Sequence, residues 1–164
     1  MSKRFKAGKR AGYVDITTRV PSPALRYLKE LALKSYGGML TDMYKIMIEE
    51  WFQRELWAKG FPWRKTQALS RREVVEEIRE HPDGTKMVVP ITVTRATGWV
   101  QVNMRIPEAL NERVRGLAFQ YGESPSTVLY TIIFWWTWWK NPPPEVAAKR
   151  AREREEKRNA RATA

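Results

Sequence analysis

Two short segments of the chain carry a polar side chain at every second position. Arginine can fork onto guanine O6 and N7, asparagine and glutamine can bridge adenine N6 and N7, and aspartate can accept a hydrogen bond from cytosine N4. Such side chains, spaced by two along a strand, all point to one face. They are therefore candidates for contacts with base edges in a groove of double-stranded DNA, and they are Asp15, Thr17 and Arg19 in the first segment and Gln101, Asn103 and Arg105 in the second.

A plainer interpretation competes with base readout. Any short strand with one face in water alternates apolar and polar residues, and for an arbitrary strand this interpretation is preferred. Here the alternation occurs twice, in a strongly basic chain, and each copy is followed by a helical pattern that glycine interrupts. These features together favour readout.

Phosphate contacts are expected at two helix starts and in an amino-terminal arm. Backbone amides at a helix start form an anion site, although ordinary capping uses the same groups. The arm carries five cations and no acid, which indicates a clamp on the DNA backbone, with a solvated tail as the alternative. The candidates are Gly38, Met39, Thr41, Ser124 and Ser126 at the helix starts and Lys3, Arg4, Lys6, Lys9 and Arg10 in the arm.

The composition favours a polyanionic partner over catalysis. Lys and Arg outnumber Asp and Glu by 30 to 18, for a formal charge of +12, and nucleic acid is the usual partner of so basic a chain. There is no cysteine, and the only histidine, His81, precedes a Pro-Asp-Gly turn. We therefore expect no enzyme, no cofactor and no metal site.

The elements that position these residues come from an internal repeat. An offset of 86 residues, the difference between Pro107 and Pro21, aligns 13–48 with 99–134 without a gap. In each copy an alternating strand ends at proline, a helical pattern follows, glycine interrupts it, and a second helical pattern begins. The identities are Val14/Val100, Arg19/Arg105, Pro21/Pro107, Leu31/Leu117, Ala32/Ala118, Thr41/Thr127, Tyr44/Tyr130 and Ile46/Ile132.

Neither copy can fold alone, because a lone strand leaves its backbone groups unpaired and about 40 residues bury too little surface. We therefore expect the two strands to pair antiparallel, with four helices closing over their shared apolar face. The expected organisation is a basic arm (1–11), a first half (12–58), an intervening segment (59–97), a second half (98–140) and a charged tail (141–164).

The second half resembles a known family. Its run from Gln101 to Pro107, the helix that follows, the sequence Gly-Glu-Ser-Pro-Ser at 122–126 and the next helix resemble the ribbon-helix-helix DNA-binding proteins of the Arc and MetJ type. This resemblance implies a mostly α fold with a two-stranded antiparallel β-ribbon, an intramolecular pseudo-dimer of two ribbon-helix-helix motifs. It also implies base contacts from the outward ribbon residues and phosphate contacts from the second helix. Two halves in one chain further resemble tandem accessory proteins of conjugative relaxosomes.

The intervening segment contains signals of its own. Ser70 followed by Glu73 is typical of a capping box that opens a short helix to about Glu80. Residues 86–94 are rich in β-formers but broken by Pro90, which predicts an edge strand or extended cover.

The second helix of the second half is unusually aromatic. Trp135 and Trp136 stand where the first half has Glu49 and Glu50. With Trp138 and Trp139 they form a surface that monomers rarely expose. Burial beneath the intervening segment, an oligomer or protein partner, and a membrane surface all remain open, although the longest apolar run is shorter than the roughly 20 residues of a membrane span.

The sequence thus predicts a cytoplasmic, nucleoid- or plasmid-associated protein that binds double-stranded DNA sequence-specifically through a ribbon in the major groove. Its role would be that of a transcriptional repressor or of an accessory factor in DNA processing or conjugative transfer. The alternative is a protein-interaction module that docks a partner through its tryptophan-rich helix.

Overall fold

A computed structural model describes residues 12–164 of the chain. The predicted phosphate contacts Lys3, Arg4, Lys6, Lys9 and Arg10 lie outside that range. In chain order the elements are β1 (Tyr13–Pro21), α1 (Ser22–Ser35), α2 (Leu40–Arg54), β2 (Ser70–Glu80), β3 (Lys86–Ala96), β4 (Trp99–Pro107), α3 (Glu108–Tyr121), α4 (Pro125–Trp135), a π-helical turn (Trp136–Lys140) and α5 (Pro144–Ala162).

Strands β1 and β4 form an antiparallel ribbon, as the repeat predicts for these two segments. Gly12 accepts a hydrogen bond from the Glu108 amide and Gly98 accepts one from the Ser22 amide, both at 2.8 Å. Each glycine has a φ near +80°, which side-chain-bearing residues rarely adopt. The two glycines therefore extend the ribbon's hydrogen bonding beyond the ends of both strands.

The even-numbered side chains of the ribbon face the core. Val20, Met104 and Ile106 are fully buried there, and burying an aliphatic side chain of this size contributes about 1.5–3 kcal/mol. Helix α2 packs on β4 and helix α4 packs on β1. Since each of these helices covers the strand that is remote from it in sequence, the two repeated segments are interlocked around one core.

Trp51 of α2 lies at the centre of an aromatic cluster. Its ring centroid is 5.6 Å from that of Phe61, 6.2 Å from that of Trp63 and 5.9 Å from that of Trp135. The segment that follows α2 therefore closes one side of the core.

The intervening segment departs from its predicted structure. Residues 70–80 form β2, not a short helix, and pair antiparallel with β3. A helix of this length is marginal in water without tertiary packing, and Val74, Val75 and Ile78 prefer a strand when β3 is available as a partner. No residue of either strand joins the buried core. The β2–β3 hairpin therefore projects from it.

The predicted fold class is wrong. The prediction was a mostly α fold with one β-ribbon, an intramolecular pseudo-dimer of two ribbon-helix-helix motifs. The structure of residues 12–164 instead contains five α-helices and two separate two-stranded antiparallel sheets. The additional elements are the β2–β3 hairpin and α5. Both lie outside the internal repeat, so the repeat could not predict them.

Helix α5 forms most of the charged tail. It has no buried residue along its 19 residues, and it is attached at its start, where Arg150 donates a hydrogen bond of 2.6 Å to the Trp138 carbonyl. Across the part of the chain that the structure describes, no helix is long and apolar enough to cross a membrane.

Candidate nucleic-acid interface

The six predicted base-contacting residues lie on one face of the β1–β4 ribbon. The strand register pairs Asp15 with Arg105, Thr17 with Asn103 and Arg19 with Gln101. Because the hydrogen bonds at Gly12 and Gly98 continue the ladder through even-numbered residues, these odd-numbered pairs are the non-hydrogen-bonded ones, whose side chains approach most closely. Three positions on one strand span about 13 Å at the usual rise per residue.

The face is open but its side chains are partly held in place. Asp15, Thr17, Gln101 and Asn103 are exposed, and both arginines are half-buried. Gln101 Nε2 donates to Asn103 Oδ1 at 3.0 Å, which places the two amide groups next to each other. The remaining amide donors and acceptors of this pair stay available to a ligand.

Arg19 is hydrogen-bonded to the segment that connects α2 to β2. Its Nη2 donates to Thr66 Oγ1 at 3.2 Å. A guanidinium has five donors in a planar fork, so one hydrogen bond leaves most of them free. Thr66 therefore positions Arg19 without using up its hydrogen-bonding capacity.

Arg105 lies directly across the ribbon from Asp15. Within residues 12–164 the two side chains form no ion pair closer than 4 Å, and Arg105 Nη2 is buried without a hydrogen-bond partner. A buried donor that lacks an acceptor costs roughly 1–3 kcal/mol. Because that nitrogen is buried, the guanidinium must turn outward before a ligand can supply the acceptor.

The start of α4 is attached to the middle of β1. The Thr18 hydroxyl, which is buried on the inner face, donates to the Ser126 carbonyl at 2.8 Å and lies 3.0 Å from the Ser126 hydroxyl. Ser124 caps the helix by accepting from the Thr127 amide at 3.1 Å. The Val128 amide donates to the Ser124 carbonyl. Since Pro125 has no amide hydrogen, the Ser126 amide is the first-turn donor left for an anion.

The start of α2 offers a different arrangement. The amides of Gly38 and Met39 donate to the carbonyls of Ala32 and Tyr36, so these two predicted phosphate contacts already have partners. Thr41 lies in the first turn of α2, half-exposed, beside the acidic Asp42. The α2 start is therefore less favourable to an anion than the α4 start.

A groove of about 400 Å³ runs along the β1 side of the ribbon. Asp15 and Thr17 form one wall, and Asn111 and Arg115 of α3 with Pro125 of α4 form the other. Arg115 adds a cation next to the polar face. Asn111 and Arg115 are not among the site residues predicted from the sequence, although their helical spacing of four residues is typical of a shared polar side of a helix.

Thr66 and the pair Gly12 and Gly98 are likewise absent from the residues predicted from the sequence. Extending the repeat by one residue aligns Gly12 with Gly98, so the sequence did contain that signal. For Thr66 it contained none, because the intervening segment has no counterpart in the repeat.

The tryptophan-rich region is divided between core and surface. Trp135 and Trp136 are 4% exposed, with ring centroids 5.9 Å apart. Trp138 and Trp139 are 40% and 56% exposed, and the Arg150 guanidinium lies 4.2 Å above the Trp139 ring. Half of the predicted aromatic surface thus belongs to the core.

Burial also affects the tyrosines behind the ribbon. The pKa of Tyr44 on α2 is raised to about 12 because burial disfavours the phenolate. Burial raises the pKa of Tyr130 as well, opposed by the nearby Arg64. These residues therefore act as neutral core side chains at physiological pH.

Comparisons of this chain with protein-family models, with curated proteins and with solved structures find no match. The interpretation of the polar face accordingly depends on its own geometry and charge.

Proposed function

We propose that the chain binds double-stranded DNA sequence-specifically by inserting the polar face of the β1–β4 ribbon into the major groove. The observation that carries the proposal is the arrangement of six hydrogen-bonding side chains, in three cross-strand pairs, on the open face of a ribbon whose other face is buried. The proposal involves no catalytic step and no cofactor.

The dimensions and the charge support this function. A two-stranded ribbon fits a major groove about 12 Å wide, and the two strands present the three reading pairs side by side. Two arginines and one aspartate lie on the face, Arg115 lies beside it, and the whole chain carries +12. The resemblance of residues 101–107 to the base-contacting strand of ribbon-helix-helix proteins agrees with this assignment.

Two further positive regions can supply sequence-independent affinity. The free Ser126 amide lies at the start of α4, where the positive end of the helix dipole favours an anion. On α5, Arg154, Lys157, Arg158 and Arg161 share one side. Contacts of this kind strengthen binding to any duplex and weaken as salt rises.

Because Asp15, Thr17 and Arg19 differ from Gln101, Asn103 and Arg105, one chain should read an asymmetric site. Such a protein would act as a transcriptional repressor or as an accessory factor in DNA processing, associated with nucleoid or plasmid DNA. The alternative, docking of a protein partner through the tryptophan-rich helix, loses support because Trp135 and Trp136 are buried.

The test begins by selecting duplexes from a random pool with the full chain. Fluorescence anisotropy then compares the selected duplex with a scrambled one for wild type, Asn103→Ala and Arg105→Ala. Each substitution should reduce the difference in binding free energy between the selected and the scrambled duplex by the roughly 1–3 kcal/mol that a bidentate base contact contributes. Weak, salt-sensitive binding to both duplexes should remain.

Thr92→Ala serves as the control, because Thr92 is an exposed strand residue of the hairpin. It should leave the affinity ratio unchanged. An unchanged ratio in both ribbon variants, or a wild-type chain that selects no sequence, would refute the proposal.

A further inference from the structure

The two outer edges of the β2–β3 hairpin differ. The His81 amide donates to the Thr85 carbonyl at 2.7 Å, and the Thr97 amide donates to the Leu69 carbonyl at 3.2 Å. Both pairs continue the register of the two strands, so odd-numbered residues bond across the hairpin. The backbone groups of even-numbered residues therefore point toward the outer edges.

Pro90 lies at an even-numbered position in the middle of β3. It has no amide hydrogen, so the outer edge of β3 lacks a donor at its centre, which is a common way to block strand addition. The outer edge of β2 has a donor at every even position from Ser70 to Glu80. Of the two outer edges of the hairpin, the β2 edge is thus the one that is complete for pairing with another strand.

Within residues 12–164, no other element covers either face of the hairpin. Val74 and Ile78 are both 69% exposed on one face, and Val88 is 57% exposed beside them. On the other face Val75, Ile91 and Val93 are only half-buried. A two-stranded hairpin is at best marginally stable in water, and additional strands stabilise it.

The charges of β2 are arranged to match a second copy of the same strand. In an antiparallel pair centred on Val74, Arg72 lies opposite Glu76 of the second copy and Arg71 lies opposite Glu77 of the second copy. The two-fold axis repeats both contacts. Shifting the centre to Val75 would instead place Glu73 opposite Glu77 and Arg71 opposite Arg79, which puts like charges together.

These side chains have few competing partners. Among the residues that the structure describes, Arg71, Arg72 and Glu76 form no ion pair, and Glu77 contacts only Arg79, at 3.3 Å. A DNA backbone is a poorer occupant of this edge, because Glu76, Glu77 and Glu80 would face its phosphates. The self-complementary charge order favours another copy of the chain.

We propose that two chains associate through their β2 edges, antiparallel and centred on Val74, to form a four-stranded sheet β3–β2–β2–β3. The four-stranded sheet joins the half-buried apolar faces of the two hairpins into one surface. This association is independent of DNA binding, and it would give a dimer with two ribbons related by a two-fold axis.

Sedimentation equilibrium on the full chain tests the proposal. Wild type should show twice the mass of the chain, with a monomer appearing on dilution. The double variant Arg71→Glu with Arg72→Glu, and the double variant Glu76→Arg with Glu77→Arg, should each be monomeric, because each places like charges opposite each other across the interface. An equimolar mixture of the two variants should dimerise again, because every opposed pair regains opposite charges.

Glu80→Arg is the matched control, since residue 80 lies beyond the paired stretch of 70–78. It should dimerise like wild type. Circular dichroism of each double variant separates loss of pairing from loss of folding, and the recovery in the mixture shows that both fold.

The proposal is wrong if wild type stays monomeric up to its solubility limit, or if the mixture fails to associate. It is equally wrong if the double variants change DNA affinity alone, or if the monomer instead forms a stable complex with a different protein through this edge.

Discussion

The molecule contains two antiparallel two-stranded sheets that differ in what lies behind them. In the β1–β4 ribbon the inward face packs on helices α2 and α4, and Val20, Met104 and Ile106 are fully buried. In the β2–β3 hairpin the strands are longer, 11 residues against 9, yet none of their side chains enters the core. The two sheets therefore share the same kind of backbone pairing but differ in the burial of one face, which is what gives a two-stranded sheet stability in water.

This difference separates two tasks. Under the proposed function, side chains that read a groove must be held on a stable support, and the helix-backed ribbon would supply it. A strand that accepts another strand needs a free edge, and the hairpin provides that. Matched positions of the two sheets should therefore respond differently to the same change.

The first prediction concerns amide hydrogen exchange. Ile16 and Met104 are partners in the ribbon, and Val75 and Ile91 are partners in the hairpin. Ribbon amides should exchange only on global unfolding, which for typical domains costs about 5–15 kcal/mol, whereas hairpin amides should exchange through local opening. Exchange measured by NMR on the monomer should be slower in the ribbon by several powers of ten. Equal rates would remove the distinction between the sheets.

The second prediction compares two isoleucines. Ile106→Ala should reduce the free energy of unfolding by about 2–5 kcal/mol, because it leaves a cavity in the core. Ile78→Ala should change it by no more than about 0.5 kcal/mol in the monomer, because that side chain is 69% exposed. Urea denaturation at low protein concentration measures both. A large loss in Ile78→Ala would mean that the hairpin is packed in solution.

The third prediction concerns alkaline pH. The pKa of Tyr44 is about 12 in the folded chain and about 10 when unfolded. The unfolded state therefore releases this proton first as pH rises, and stability falls from pH 10 to pH 12 by up to about 3 kcal/mol.

Tyr44→Phe should remove this part of the pH dependence and leave stability near pH 8 almost unchanged. Denaturant titrations at several pH values test it. The hairpin contains no tyrosine, so the effect belongs to the helices that cover the ribbon. An identical decline in Tyr44→Phe would contradict the assignment.

The fourth prediction compares two strand threonines. Thr18→Val should destabilise the chain by about 1–3 kcal/mol, because it deprives the Ser126 carbonyl and hydroxyl of their buried partner. Thr92→Val, at an exposed position of β3, should alter stability by about 0.5 kcal/mol or less. Thermal unfolding monitored by circular dichroism distinguishes them. Equal effects would show that Thr18 does not tie α4 to β1.

The same comparison explains what the sequence could predict. The pairing of β1 with β4 follows from a repeat that preserves alternation and proline at a fixed offset, and the shared face of the six polar side chains follows from their positions on those strands. The fold class inferred from it was wrong because the hairpin and α5 have no counterpart in the repeat. Residues 70–80 showed a capping-box pattern, but long-range pairing with β3 outweighed that local signal.

The tryptophans illustrate a second limit. By the repeat, Trp135 and Trp136 correspond to Glu49 and Glu50, which suggested a solvent-facing position. In the structure Trp135 packs against Trp51, with Trp136 beside it. Phe61 and Trp63 of the intervening segment contribute to the same cluster, so the aromatic cover depends on contacts that no local pattern reveals.

Photo-crosslinking tests most directly whether the ribbon reaches the bases. A photoreactive residue is placed at position 103 in one variant and at position 92 of the hairpin in another, and each is irradiated on the selected duplex. The proposal predicts adducts on major-groove base atoms from position 103 and none from position 92. Base adducts from position 92 with none from position 103 would contradict it.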